Sequence, residues 1–375
     1  MTRARRHGIP FPGTPGPRNA LTDVAGVEVG MVTLVGDEGG IAVRTGVTAI
    51  LPLGRTGVGS AVAAGLFSLN GNGELTGSHW IRETGAFAGP VMLTNTHAVG
   101  TVHRGVVDWT ARHRPDLAAE WLLPVVAETW DGFLNTINHA AITLEHVAEA
   151  IDSASPDGLH EGSHGGGTGM NCYGFKGGNG SASRLVSFGG AEYTVAVLLQ
   201  ANFGDRGELT IAGIPAGDLP VPDTLSEPGW LAADRAAPGG AGSVIAIVAT
   251  DAPMLPGQLD ALARRVPLGL ARTGTTGSHF SGDIFLAFST AGAGAHDSGF
   301  PRESAADAAL RSASFVPWNH LDPFFAAVVH CVEEATLNAL FGNETMTGRD
   351  GHISYALPEA LVLERLAAHG RLSGG

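Results

Sequence analysis

Apolar and polar residues alternate from Gly26 onward, where Val27, Val29 and Met31 interleave with Glu28 and Gly30, the two-residue period of a strand. Val47–Leu53 reads as a second short strand, Ser60–Leu69 as a helix of small residues, and Thr101–His113 as a helix closed by Pro115. Leu122–Ala127 predicts a buried strand ending at Glu128, and Thr143–Ile151 carries an amphipathic helical stripe. The apolar run Val195–Leu199 continues to Gln200, Ala201 and Asn202, and Ser243–Thr250 and Asp283–Phe288 predict two more buried strands. Leu259, Leu262 and Val266 mark a helix that Pro267 and Gly269 kink or end. Asp322 as N-cap, Pro323 at the first helical position and Gly342 beyond the end frame a long helix striped by Phe325, Val328, Val332 and Leu340.

Three stretches lack either period. Residues 1–25 read as an extended, proline-rich arm that packs against the body or a neighbour. Residues 162–180 are so dense in glycine that no regular element is expected there. Residues 203–242, rich in Pro, Gly and Asp, read as a long exposed irregular segment of the kind that is functional or processed. No fixed-period repeat or linker divides the chain, which predicts one large layered α/β domain over residues 1–375.

Composition narrows the function classes. A net charge of −14 argues against a nucleic-acid surface, which needs clustered Lys and Arg. Charged residues make up 15% against a usual value of about 25%, while 44% of the chain is apolar, so surface is expected to be buried between subunits. Glycine, at 55 of 375 residues, is about twice as common as usual but without a collagen period, pointing to close packing and sharp turns. Cys172 and Cys331 form neither a disulfide framework nor a metal-ligand spacing, which fits a reducing, cytoplasmic compartment. Arg3, Arg5 and Arg6 are followed by Pro10, Pro12 and Pro15 rather than by a signal peptide's apolar stretch, and no uninterrupted apolar run approaches 18 residues, so no membrane span is expected.

Familiar catalytic motifs are missed. Gly169 and Gly174 are followed by Phe175-Lys176 rather than by Lys-Ser/Thr, and no G-x-G-x-x-G turn sits in a strand-turn-helix unit. There is no H-E-x-x-H; the compact pair His160 and His164 has only Glu161 as a nearby carboxylate, and no metal is expected. The G-x-S-x-G elbow is absent too. The junction Gly239-Gly240-Ala241-Gly242-Ser243 is more informative, because a loop runs straight into a buried strand with a hydroxyl at its start. Attack of that hydroxyl on the preceding carbonyl, followed by ester hydrolysis, would free an α-amine that titrates at about 7.7–8.0, beside its own nucleophile. Gly-Ser before a strand is equally an ordinary turn.

Several stretches occur together in one order: Asn19-Ala20-Leu21-Thr22-Asp23-Val24-Ala25-Gly26-Val27, Asn70-Gly71-Asn72-Gly73-Glu74, Gly167-Thr168-Gly169-Met170 with Phe175-Lys176-Gly177-Gly178, and Gln200-Ala201-Asn202-Phe203-Gly204. They continue with Gly242-Ser243, Ala249-Thr250-Asp251-Ala252-Pro253 and Ser281-Gly282-Asp283-Ile284-Phe285-Leu286-Ala287-Phe288. On these motifs the chain resembles, nearly end to end, the DmpA-like family of self-processing aminopeptidases. The resemblance implies a four-layered αββα sandwich like that of N-terminal-nucleophile hydrolases, with its own connectivity. It also implies cleavage between Gly242 and Ser243 into fragments 1–242 and 243–375 that stay associated, and homotetramers of such two-fragment units.

Carried over position by position, Ser243 is the nucleophile and new N-terminus, and Asn202 an oxyanion-hole donor. Ser281 and Asp283 flank and polarise the nucleophile, and Glu128 pairs with the substrate's ammonium group. Trp130 and Phe133 lie where the family pocket is aromatic. Substrates would be short peptides, amides or esters, extending to β- or D-residues, and no cofactor is implied. The residues themselves also admit plainer readings. Asn202 can cap a strand end; Ser281 and Asp283 share a face as on any strand edge; Glu128 faces either an ammonium or solvent. The glycine-rich segment then supports the site, with Lys176 as a polar contributor. Two other classes stay open: a self-cleaving acyltransferase of the ornithine acetyltransferase type, disfavoured by Ser243 in place of Thr, and a non-catalytic binding or assembly protein.

Overall fold

Alternation inside one strand sets the layers. In Gly242–Thr250, Val244, Ala246 and Val248 enter one core while Ile245, Ile247 and Ala249 enter another. A strand buried on both faces needs sheet or helix above and below it. The computed structural model describes residues 3–118, 120, 123–220, 242–301 and 303–372.

One sheet has six strands, in the order β4 (Ala86–Phe87), β3 (Val62–Ser68), β14 (Ser281–Ser289), β13 (Gly242–Thr250), β10 (Ala191–Asn202) and β9 (Gly178–Phe188). The other has four, β1 (Glu28–Glu38), β2 (Ile41–Leu51), β5 (Val91–Asn95) and β6 (Val125–Thr129). The short ribbons β7 (Asn171–Cys172) with β8 (Phe175–Lys176), and β11 (Thr210–Ile211) with β12 (Ile214–Pro215), are further paired segments. Between the two sheets, Val29, Ile50, Leu93 and Ala127 pack against Leu66, Leu198, Ile245, Ile247 and Leu286. Helices α1 (Val99–His113) and α2 (Leu144–Asp152) cover the four-stranded sheet through Val102, Val106, Trp109, Val147 and Ile151. Helices α3 (Pro256–Ala263), α4 (Val266–Ala271) and α5 (Asp322–Phe341) cover the six-stranded one through Leu259, Leu262, Val266, Phe324, Val328 and Val332. The result is an αββα sandwich.

Several expectations need correction. Ser60–Leu69 is not a helix but holds strand β3, whose Ala63, Ala64 and Gly65 let α3 lie close. There Asp260 Oδ1 accepts from the Leu66 N–H at 2.9 Å. The glycine-rich stretch 162–180 is not free of regular structure: it contains β7, β8 and the first residues of β9. Its residues from Gly165 to Met170 are buried, so tertiary contacts override weak local propensity. β2 starts at Ile41, well before the Val47 expected, and β6 runs one residue past the Glu128 end expected, to Thr129. Residues 205–219 form a turn and the β11/β12 ribbon with Leu209, Ile211 and Leu219 buried, so the exposed irregular chain predicted for 203–242 does not hold there. Residues 221–241, including Gly239–Ala241, lie outside the described residues. Asp322 is the first helical residue rather than the cap, and Pro323 supplies the start signal.

Helix α5, with 20 residues and mean hydropathy 1.3 over its most apolar window, is long and apolar enough to cross a membrane, yet it is a core helix packed on β9 and β10. It carries Glu334, which is fully buried. Arg184 Nη2 donates to its Oε2 at 2.6 Å, Arg5 donates to both oxygens at 2.9 and 2.6 Å, and Asn19 Nδ2 donates to Oε1 at 2.7 Å. The N-terminal arm, with Ala4, Ile9, Phe11 and Leu21 buried, is thereby fastened to the molecule's own body. Burial pushes the Glu334 pKa up, but Arg5 and Arg184 outweigh it and hold it below the ordinary value. A depressed carboxyl pKa stabilises the fold above the unfolded-state value, and that stabilisation is lost as pH falls through the folded one. Glu334→Ala, which leaves Arg184 buried and unpaired by this residue, is expected to lower the unfolding free energy by about 3–5 kcal/mol in chemical denaturation near neutral pH.

Candidate active site

Strand register brings the expected catalytic residues together. Antiparallel pairing of β10 with β13 sets Asn202 opposite Ser243, and parallel pairing of β13 with β14 sets Gly242 opposite Ser281 and Ser243 opposite Gly282. Ser243 is buried, and its Oγ has no hydrogen-bond partner among the described residues. Such an oxygen costs free energy unless something else uses it. The residue before it has no room for a side chain, because a Cβ at Gly242 would overlap the Asn202 carbonyl oxygen.

On one side of Ser243, Ser281 Oγ donates to Asp283 Oδ1 at 2.5 Å. Asn70 Nδ2 holds the other Asp283 oxygen at 2.9 Å and also donates to the Ser278 carbonyl at 2.9 Å. Burial pushes the Asp283 carboxyl up, against the hydrogen bonds of Ser281 and Asn70. On the other side, the Asn202 amide is fixed at both ends. Its Nδ2 donates to the Trp130 carbonyl at 3.0 Å, and its Oδ1 accepts from the Asn171 N–H at 2.9 Å. These partners define which end of the amide is nitrogen, and they leave one of its two N–H groups for a further acceptor.

Glu128 approaches from the other sheet. Its Oε1 accepts from the Glu74 N–H at 2.9 Å and its Oε2 from Thr96 Oγ1. Burial raises its pKa, with Thr96 and the Glu74 N–H pulling the other way. The segment Asn70–Glu74 connects it to the serine strand: Gly73 lies against both Gly282 and Glu128 Oε1, and a Cβ at Gly282 would overlap the Asn72 carbonyl oxygen. Trp130 contributes its carbonyl, while its half-exposed ring folds over Gly132. Phe133 stacks on His352, with ring centroids 5.0 Å apart.

Sequence reasoning assigned no role to Asn70, Thr96 or Asn171. Asn70 opens the Asn-Gly-Asn-Gly-Glu motif and was legible there; Thr96, on a turn after β5, leaves no such mark. His160 and His164 stand 5.3 Å apart, but Glu161 is turned away to Arg3 and the Ser181 N–H. Among the described residues no cluster of three or more metal-ligating side chains occurs. A cavity of about 360 Å³ lined by Trp80, Phe87, Leu117, Leu123 and Phe300 also touches Val125, the first residue of β6, and its lining includes none of the Ser243 group.

The αββα sandwich, with buried Ser243 second on a central strand, is a variant of the N-terminal-nucleophile hydrolase fold. The model of Peptidase family S58 matches residues 19–354, and the chain belongs to that family of aminopeptidases. It is 44% identical to beta-peptidyl aminopeptidase BapA of Sphingosinicella microcystinivorans, with 99% of this chain and 93% of that protein covered. It is also 44% identical to the BapA of Sphingosinicella xenopeptidilytica, covering 95% and 89%. Among solved structures it matches the L-aminopeptidase D-Ala-esterase/amidase from Ochrobactrum anthropi, a serine aminopeptidase with a new variant of the Ntn hydrolase fold, at TM-score 0.88 and 41% identity over 100% of both chains. A Burkholderia sp. beta-aminopeptidase matches at TM-score 0.85 and 40% identity, covering 98% of this chain and 99% of that one.

Because Gly282 has backbone on its open side, Gly282→Ala is expected to push segment 70–74 away from β14. The unfolding free energy should fall by about 1–3 kcal/mol, read from denaturant midpoints at unchanged slope.

Proposed function

We propose that this aminopeptidase activates itself by cleaving the Gly242–Ser243 bond and then uses Ser243 as a serine nucleophile. In self-cleavage Ser243 Oγ attacks the Gly242 carbonyl, the peptide N–C bond breaks, and the resulting ester is hydrolysed to leave a Gly242 carboxylate and a free Ser243 α-amine. In turnover the same oxygen attacks the carbonyl of the substrate's N-terminal residue. The α-amine accepts the Oγ proton and delivers it to the leaving amine or alkoxide, and water then releases the acyl group. Ser281, with its own proton committed to Asp283, acts as acceptor for an N–H of that amine. Asn202 donates its remaining N–H to the developing oxyanion, a contribution on the order of 3 kcal/mol for one such donor. Glu128 holds the substrate's ammonium, which gives a buried carboxylate without an ion-pair partner among the described residues its counter-charge.

The single observation that carries this reading is the Ser243 hydroxyl: buried, unpartnered among the described residues, and set by register between Asn202 and the Ser281–Asp283 pair. Substrates are short peptides, amides or esters with a free N-terminal residue, including β- or D-residues, in line with the activities named for the relatives. Homotetramers of two-fragment units belong to the same reading, supported by the 15% charged fraction and by the exposed Phe300, Leu310 and Phe315. A cytoplasmic location is proposed on the two unpaired cysteines, both buried.

Denaturing mass spectrometry of the fresh protein is expected to find fragments 1–242 and 243–375, and Ser243→Ala to abolish both the split and turnover of aminoacyl p-nitroanilides. A single intact 38.3 kDa chain with full activity would overturn the self-processing claim. Acetyl transfer to an amine acceptor, the mark of the acyltransferase class, is expected to be absent.

Ionised Glu128 is the binding form, and burial raises its pKa. kcat/KM is therefore expected to fall with acidity at a pH above the ordinary Glu value of about 4.3. Glu128→Gln should raise KM more than it lowers kcat. An unchanged KM would remove Glu128 from the substrate site.

A further inference from the structure

Lys176 is fully buried on the short ribbon β7/β8, a place where an ammonium group is costly unless partnered. Its Nζ donates to the Met170 carbonyl at 2.9 Å and to the Gly177 carbonyl at 2.7 Å. These two residues bracket the ribbon and are themselves bonded, Gly177 N–H to Met170 O at 2.9 Å. The ammonium thus staples the ribbon's base. Its backbone is held from outside as well: Lys176 N–H donates to Tyr355 O at 2.7 Å, and Asn343 Nδ2 donates to Lys176 O at 3.2 Å and Gly177 O at 2.9 Å. The residue cross-strand from Lys176 is Asn171, whose N–H fixes Asn202 Oδ1.

The other anchor of the Asn202 amide, the Trp130 carbonyl, is followed by Asp131, which is likewise fully buried. Asn135 Nδ2 holds Asp131 Oδ1 at 3.0 Å, while Oδ2 has no hydrogen-bond partner among the described residues. Burial pulls the Lys176 ammonium down to about 7, with the Asp131 charge opposing, and burial pushes the Asp131 carboxyl up to about 7 against Thr45 and Asn135. The two backbone groups that orient Asn202 therefore each hang from a buried group of opposite charge.

We propose that Lys176, with Asp131 as its counter-charge, is a positioning residue for Asn202: it pins the ribbon whose first N–H sets the direction in which Asn202 presents its remaining N–H. This rests on the reading of Asn202 as the oxyanion donor. Buried charges of this kind contribute little net stability, but they fix geometry wherever a small rotation matters. A donor misplaced by a fraction of an ångström loses transition-state stabilisation while ground-state binding is unaffected.

The test is a double-mutant cycle on the full chain, with rates normalised to the processed fraction seen by denaturing mass spectrometry. Lys176→Met is expected to lower kcat about tenfold or more while KM stays within about twofold. In an Asn202→Ala background the same substitution is expected to cost less than about a further twofold, because its route of action is already gone. A kcat within about twofold of the parent, or an equal loss in both backgrounds, overturns the proposal. Should Lys176→Met fail to fold, Lys176→Met/Asp131→Asn removes both charges and is read in the same two backgrounds, with the same outcomes decisive. If Asn202→Ala alone keeps the parental kcat, the oxyanion reading falls, an outcome distinct from failure of Lys176 to act through it.

Discussion

The register of three adjacent strands is the constraint on which the site depends. Asn202, Ser243 and Ser281 are far apart in sequence, and only the pairing of β10, β13 and β14 sets them side by side. A slip of one residue would exchange the two faces of β13, sending Ser243 toward the helices and Val244 toward the other sheet. The two faces differ in bulk, Ile245 and Ile247 filling one core and the smaller Val244, Ala246 and Val248 the other, so that slip would overpack one core and leave voids in the other. The apolar strand interior thus holds a polar end in place. Geometry at the site is a by-product of packing several residues further along.

Two of the site's polar side chains, Asn202 and Glu128, take backbone groups among their partners. Asn202 is held by the Trp130 carbonyl and the Asn171 N–H, and Glu128 by the Glu74 N–H as well as by Thr96. Backbone partners are themselves fixed by strand and ribbon pairing, so little reorganisation is left for the moment of reaction. Asp283 differs, because its two oxygens are held by side chains, Ser281 and Asn70. Both are short and buried or half-buried, which limits their freedom to a similar degree.

Much of the fold was legible where a strand or helix is apolar in its own right, as in β13, β14, α1 and α5. It was illegible where neighbours decide. Val62–Ser68 opens with small residues that suit a helix as well as a strand, and pairing with β14 and β4, with α3 lying close, selects the strand. The glycines of 162–180 suggest irregular chain, yet their burial against other backbones builds ribbon β7/β8 and opens β9. At the site, Ser243, Asn202, Ser281, Asp283 and Glu128 were read from motifs, and the structure gathers the first four around one strand end. Phe133 was placed by analogy of position, and its ring stacks on His352. Thr96 and Asn171 contribute through a single hydroxyl and a single amide, functions that many residue types at those positions would mimic in a one-dimensional pattern.

The fastening of the N-terminal arm bears on the order in which the molecule can be built. Arg5 and Asn19 stand 329 and 315 residues before their shared partner Glu334. Strand β14, which completes the neighbourhood of Ser243, also follows it in the chain. During synthesis β13 therefore lacks its β14 neighbour, and the arm lacks its partner on α5, until those later segments emerge. The Ser281–Asp283 side of the Ser243 neighbourhood is therefore missing from any chain that stops short of β14.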